Sequence, residues 1–454
     1  MQDSYEKAAA AVRGSQVLRL LFLGFLVVVL QIPIAGLSEL VRERSSRRDE
    51  AIDEVSSRWG NAQAITGPLL VLPFTHRATD TSLEGRPYVQ IETRQAVFLP
   101  EELRIRATLG SEIRRRGIFS VPVYKLDLAV EGQFAPPNLA AVGIDPASVA
   151  WDGARLVVGI ADARAIQAQS TLAWNGTPVQ FQPGVGGLVE AGTGIHAAVP
   201  VGGGAASYTF AFPLVLNGSV GLQFVPLGQS THVELDCNAG SPSFEGKWLP
   251  AEHLASVSGF TARWDIPALG RNFPQAWRSE SGMQETIGEA RFGVKLIDPV
   301  DHYRMAERSV KYAALFILLS FTAVWLLEVL SGSRVHAIQY LLLGVALCLF
   351  YLLELSLSEH LGFPLAYTLA SVLVVGMVAA YSHVIFHRAG RAAVVGAGVA
   401  ALYAYLYVLL TNEDYALVIG SLGLFVMLGT IMFVTRHIDW YAPGARTEGP
   451  PPAP

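Results

Sequence analysis

The stretch VKYAALFILLSFTAVWLLEVL, Val310 to Leu330, decides the fold. At a rise of ~1.5 Å per residue, a helix of this length crosses the ~30 Å of bilayer hydrocarbon. Four further apolar runs follow it, His336 to Leu357, Phe363 to Phe386, Ala392 to Thr411 and Tyr415 to Thr435. Their connectors are too short for folded structure, so successive helices must turn back at alternate faces and pack as up-and-down neighbours. The last third of the chain is a polytopic helical membrane bundle.

Charge orients it. One set of connectors carries Arg334, then Arg388 and Arg391, then Arg436, while the other carries Glu359 with His360 and Glu413 with Asp414. By the positive-inside bias the arginine set faces the cytoplasm, and everything before Val310 starts outside. Arg42, Arg44, Arg47 and Arg48, and Arg304, Arg308 and Lys311, then sit outside against that bias. Long domains translocate largely regardless of charge, so the short connectors decide.

Working upstream, Val17 to Leu37 reads as another span. It is longer than the ~7–15 residue core of a cleaved signal peptide, and Ile34-Ala35-Gly36 is a poor cleavage site, so it is an uncleaved anchor. The chain divides into a cytoplasmic start at 1–16, an anchor helix at 17–37, a charged helical linker at 38–64, a periplasmic β domain at 65–303, a five-helix bundle at 304–435 and a disordered cytoplasmic tail at 436–454. That gives six crossings with both termini in the cytoplasm.

The 454 residues are 51% hydrophobic and 16% charged, which the membrane part accounts for. A net charge of -5 excludes a global basic balance, so nucleic acid is not an expected partner. Two cysteines, Cys237 and Cys348, stand in different parts of the chain, so neither a disulfide nor a Cys/His metal pattern is expected.

Between the first two spans the signals are those of strands. Ala96 to Leu99, Leu126 to Val130, Leu156 to Ile160, Tyr208 to Leu216, Gly221 to Val225 and Thr231 to Leu235 alternate or are β-branched, with turns expected at Asp152-Gly153, Asn175-Gly176 and Asn217-Gly218. The fold class is a membrane helical bundle plus a mostly antiparallel β-sandwich. Trp59-Gly60 with Gly67-Pro68 reads as a chain reversal into the sheet, and Pro250 to Ala255 and Arg304 to Lys311 read as helical.

No HExxH or GxSxG occurs and the ten histidines are scattered, so no enzyme and no cofactor is read from local motifs. A triad assembled from distant residues would leave no such motif. The glycines between Pro183 and Gly204 precede no helix and no Gly-Lys-Ser/Thr, so they make a hairpin-rich loop, not a phosphate cradle. Inside the bundle, charge in hydrocarbon is costly and by default functional. Glu328 is expected to reach Arg334, and Glu354 to reach the interface, the alternative being a polar cleft shared with Ser358 one turn away. Arg304, Arg308 and Lys311 share one helix face; pairing with Glu359, Glu413 and Asp414 is expected to dock the β domain on the bundle. Pro242, Phe244 and Trp264 form a candidate recognition patch, against the plainer reading that Phe244 and Trp264 are core.

Ordered blocks along almost the whole chain resemble the CreD family of bacterial inner-membrane proteins. They include RWGNAQAITGPLLVLPF from Arg58, RRRGIFSVPVYKLDLAVEGQF from Arg114, VPLGQSTHVELDCNAGSPSFEGKWLP from Val225, GFTARWDIPALGRNFPQAW from Gly259, FGVKLIDPVDHYRMAERSVKYAALFILLSFTAVWLLEVL from Phe292 and TRHIDWY from Thr435. The resemblance implies a Gram-negative inner-membrane protein linked to cell-envelope integrity, carbon-source-responsive two-component signalling and β-lactam stress. It implies no catalytic residue. The expected function is binding or scaffolding through the exported domain, with the lipid bilayer and an envelope protein or lipid as partners; the alternative is a transporter or channel in which Glu328, Glu354 or Gln339 meet in a water-filled cavity.

Overall fold

The computed structural model describes residues 16–81, 87–186, 192–202, 205–240, 242–296, 302–331, 333 and 335–436. Expectations for residues 1–15, Arg334, Gly187, Gly203, Gly204 and the tail after Arg436 lie outside the described residues. The chain forms two compact units, one of Met1–Arg47 with Val300–Pro454 and one of Arg48–Pro299.

Helix α1, Gln16–Trp59, runs without interruption from the apolar first span into the charged segment. It ends where Gly60 adopts φ 150. In the helical unit it is followed by α3 His302–Ser331, α4 Ala337–Leu361, α5 Phe363–Phe386, α6 Ala389–Thr411 and α7 Ala416–Thr435, a short α2 at Met283–Glu289 lying in the other unit. Among the described residues six helices are long and apolar enough to cross a membrane. α3 packs on α4, α4 on α5, α5 on α6 and α6 back on α3, closing a ring. α1 adds a stripe at helical spacing, Leu23, Leu26, Leu30 and Ile34, all buried. Gly344 on α4 makes room for it, since a Cβ there would stand 2.3 Å from Leu30 Cδ1. α7 has no buried residue.

The ring is filled with apolar and aromatic side chains. Phe350 meets the rings of Tyr367 and Tyr403 at centroid distances of 5.2 and 4.3 Å. A cavity of about 10 Å³ lies between Phe316, Ser320, Leu347, Tyr351, Val399 and Tyr403, room for one water at most.

The other unit is built on two sheets. One has the order β13-β17-β11-β1-β5-β9-β8, with β2 and β16 branching from β1: β1 Gln63–Thr81, β2 Pro87–Phe98, β5 Arg155–Ile160, β8 Gln182–Pro183, β9 Gly194–Ala198, β11 Gly221–Phe224, β13 Pro242–Gly246, β16 Ala276–Arg278 and β17 Phe292–Leu296. The second has the order β14-β15-β12-β3-β4-β10-β6-β7: β3 Glu102–Arg116, β4 Phe119–Phe134, β6 Thr171–Trp174, β7 Thr177–Gln180, β10 Tyr208–Ser219, β12 Ser230–Cys237, β14 Glu252–Ser256 and β15 Gly259–Pro267. Pairing is antiparallel except for β1 with β11 and β12 with β3. Period-two alternation puts Leu103, Ile105, Leu128, Val233, Leu235 and Trp264 of the second sheet into one core with Leu70, Val71, Leu156 and Val157 of the first.

Three local expectations are corrected. Asn217-Gly218 is not a turn: β10 continues through it in register with β4, and Gly218 is needed because a Cβ there would meet the Tyr124 ring at 2.3 Å. Gly67-Pro68 lies inside β1 at a register shift against β5, so the reversal after α1 is made at Gly60 alone. The helix expected at Pro250 to Ala255 is edge strand β14, because pairing with β15 from Glu252↔Arg263 to Ser256↔Gly259 outweighs the local helix signals.

Candidate functional site

In the helical unit the polar groups gather at the two ends of the α3/α4 pair. Glu328, 2% exposed near the end of α3, accepts hydrogen bonds from Tyr340 Oη at 2.9 Å and from the Val335 N–H at 3.1 Å, and pairs with Arg19 of α1. Among the described residues its cationic partner is Arg19, far earlier in the chain; the expected partner Arg334 lies outside them. Arg19 has no role if Val17 to Leu37 is taken as uniformly apolar; its pair with Glu328 joins the start of α1 to the end of α3.

Glu354 does not reach the interface. It is 1% exposed, with Ser309 Oγ donating to its Oε2 at 2.7 Å. An antiparallel α3/α4 pair brings Ser309, near the start of α3, beside Glu354, near the end of α4, and this burial corrects the interfacial expectation. Ser358, also buried, donates to its own helix at Leu355 O, and Glu354 Oε1 has no hydrogen-bond partner among the described residues. Gln339 Oε1 accepts from the His336 N–H at 2.8 Å in a capping box. Glu328 and Glu354 therefore stand at opposite ends of the pair, and with Gln339 they do not converge on one cavity.

The basic residues at the start of α3 are placed within the helical unit. Arg308 donates to the Leu409 and Leu410 carbonyls at 3.2 Å, capping the end of α6, and its Nη1 lies 3.5 Å from Glu413. Arg304 reaches Glu413 at 3.7 Å. Lys311 pairs with Glu307 of its own helix, not with an acidic connector. Glu359 accepts from Tyr303 Oη at 2.9 Å and pairs with Arg44 at 3.7 Å, while Asp414 has no partner among the described residues.

In the β unit the surface patch expected at Pro242, Phe244 and Trp264 is corrected. Trp264 falls on the inward register of β15 and is 0% exposed, with its indole N–H donating to Trp248 O at 3.2 Å. Phe244, partly buried, packs edge-on against it at a 5.8 Å centroid distance and lies against the core, and Pro242 opens strand β13.

What the second sheet does expose is a cleft of about 880 Å³ lined by Arg106, Glu234, Asp236, His253, Leu254 and Arg263. Alternation on β3, β12 and β15 turns these charges outward. Arg263 donates to Glu234 at 2.8 Å, and that bond holds its guanidinium above its ordinary value. At the sheet edge β14 is exposed along all five residues, Leu254 at 78%. Sequence reasoning missed this cleft because its walls come from four strands, although the charge alternation in ELRIRAT and THVELD was its visible half. Among the described residues no group of three or more His, Cys, Asp or Glu is placed to hold a metal ion.

Residues 15–441 match the family model described as inner membrane protein CreD. The chain is 32% identical over 419 residues to the inner membrane protein CreD of Escherichia coli (strain K12), covering 92% of each.

Proposed function

As the chain belongs to the CreD family of inner membrane proteins, we propose that it supports envelope integrity under stress by binding, through the cleft on the second sheet of its β domain, a protein or lipid component of the envelope. In this reading the β domain is a periplasmic sandwich and both termini are cytoplasmic, as the arginine connectors at Arg388, Arg391 and Arg436 favour. The observation that carries the reading is the contrast between units. The bundle interior is packed with apolar and aromatic side chains around a cavity of about 10 Å³, and the buried carboxylates Glu328 and Glu354 stand at opposite ends, whereas the β domain opens a cleft of about 880 Å³ with charged walls of both signs and a bare edge strand. Open edges and concave charged surfaces are where extended partners bind.

The test is complementation of a strain lacking the protein, scored by detergent permeability of the envelope. Reversing charge at Arg106 and Arg263 together should abolish complementation while membrane insertion and abundance stay normal. Full complementation by that variant would refute the cleft as the working surface. A compartment reporter at Lys247 reading with one at Arg388 would refute the topology.

A further inference from the structure

β12 and β15 pair with His232 opposite Asp265, and Ser230 stands two residues before His232 on the same outward face. Ser230 Oγ lies 2.9 Å from His232 Nε2, and His232 Nδ1 is hydrogen-bonded to the Asp265 carboxylate. This is the connectivity by which a serine is activated for acyl transfer: the carboxylate accepts the Nδ1–H and fixes the ring, leaving Nε2 to take the hydroxyl proton. His232 and Asp265 are 42% and 47% exposed, so a substrate can reach them.

The surroundings narrow the chemistry. The N–H of Ser230 already donates to Glu101 O at 2.9 Å, so it is not available to a developing oxyanion. The nearby cation is Arg104, which faces His232 across the parallel β3/β12 pair and donates to Glu102, the residue opposite Ser230 on β3. A solvated guanidinium stabilises an oxyanion less than an enclosed pair of backbone donors. That favours carboxylic esters, whose alkoxide leaves readily, over amides. The next outward residues on the same three strands, Arg106, Glu234 and Arg263, line the near end of the cleft, one outward position from His232 and Asp265, so a molecule that extends past that end along the strands reaches Ser230.

We propose that Ser230 and His232, positioned by Asp265, hydrolyse a carboxylic ester bound in the cleft, an inference that rests on the cleft as the binding surface. Ser230 Oγ bonds to the carbonyl carbon as its proton passes to Nε2 and the carbonyl pair moves to oxygen. Collapse expels the alkoxide, which takes the proton from Nε2 and leaves as the alcohol. Water then attacks the acyl-serine, giving its proton to Nε2, and collapse frees the carboxylic acid and restores the Ser230 hydroxyl with that proton.

The experiment uses the full chain in detergent micelles with two probes, a fluorescent fluorophosphonate and p-nitrophenyl butyrate. Covalent label should map to Ser230 and vanish in Ser230→Ala. His232→Gln should slow labelling and ester hydrolysis about 100-fold or more. Asp265→Asn should slow both at least about tenfold, with partial rescue by Asp265→Glu, which a merely structural role would not give. All three side chains face outward, so the variants keep the fold. An unlabelled wild type, or hydrolysis unchanged in Ser230→Ala, overturns the proposal. The small fluorophosphonate does not need the cleft, so labelling tests the relay even where the Arg106 and Arg263 complementation test fails.

Discussion

The pairing of Arg19 with Glu328 makes a quantitative prediction for the helical unit. Glu328 is 2% exposed and among the described residues accepts from three donors, Arg19, Tyr340 Oη and the Val335 N–H, whereas Arg19 is 30% exposed. Arg19→Leu leaves a buried carboxylate with two neutral donors, and breaking such a pair from one side costs about 3–5 kcal/mol. Glu328→Gln keeps an acceptor for Tyr340 and Val335, and the partly exposed Arg19 can swing its guanidinium toward the headgroups, so its cost should be smaller, about 1–2 kcal/mol. Arg19→Leu with Glu328→Leu removes both charges and should be more stable than Arg19→Leu alone, with a coupling of about 1–3 kcal/mol. The assay is the midpoint of SDS unfolding in mixed micelles, run as a full cycle with Arg19→Leu and Glu328→Leu as its singles. Strict additivity of the singles would refute the pairing, because independent sites do not couple.

Other perturbations follow from named contacts. Gly218→Ala drives a Cβ into the Tyr124 ring and should cost about 1–3 kcal/mol of β-domain stability, read by urea unfolding followed by tryptophan fluorescence. Asp162, 6% exposed, is held below the usual carboxylate range, chiefly by its hydrogen bond from Arg164, against opposing burial. A depressed folded value means its contribution is full above the ordinary ~3.9 and is lost as pH falls through the folded value. Asp162→Asn should therefore lower stability at neutral pH and flatten the acid limb of an unfolding titration; an unchanged limb counts against it. In the bundle, Glu354→Leu should cost little or stabilise, since an apolar side chain replaces a buried carboxylate, while Ser309→Ala should cost about 1–3 kcal/mol, both by SDS midpoint.

The features legible in the sequence are those written in short windows. A run such as Val310 to Leu330 needs only composition to be read as a span, and Leu126 to Val130 or Thr231 to Leu235 need only alternation to be read as strands. Misreadings arise where a residue serves something distant. Gly218 looks like half of a turn, yet its missing side chain accommodates Tyr124 on the neighbouring strand. Pro250 and Glu252 imitate a helix start, yet β15 supplies hydrogen bonds that a short isolated helix would lack.

The same reasoning separates visible from invisible halves of each site. Ser230-Thr231-His232 on an alternating strand places serine and histidine on one face, a signal present in three consecutive letters. The carboxylate that completes the relay arrives from β15 through antiparallel register, 33 residues later. Likewise a glutamate within the Val310 to Leu330 run announces a partner, and the α1 packing stripe delivers Arg19 from 309 residues away, which composition does not reveal. Partner identity in this chain is a property of strand register and helix packing, which is why titratable residues were easy to single out one by one and hard to join.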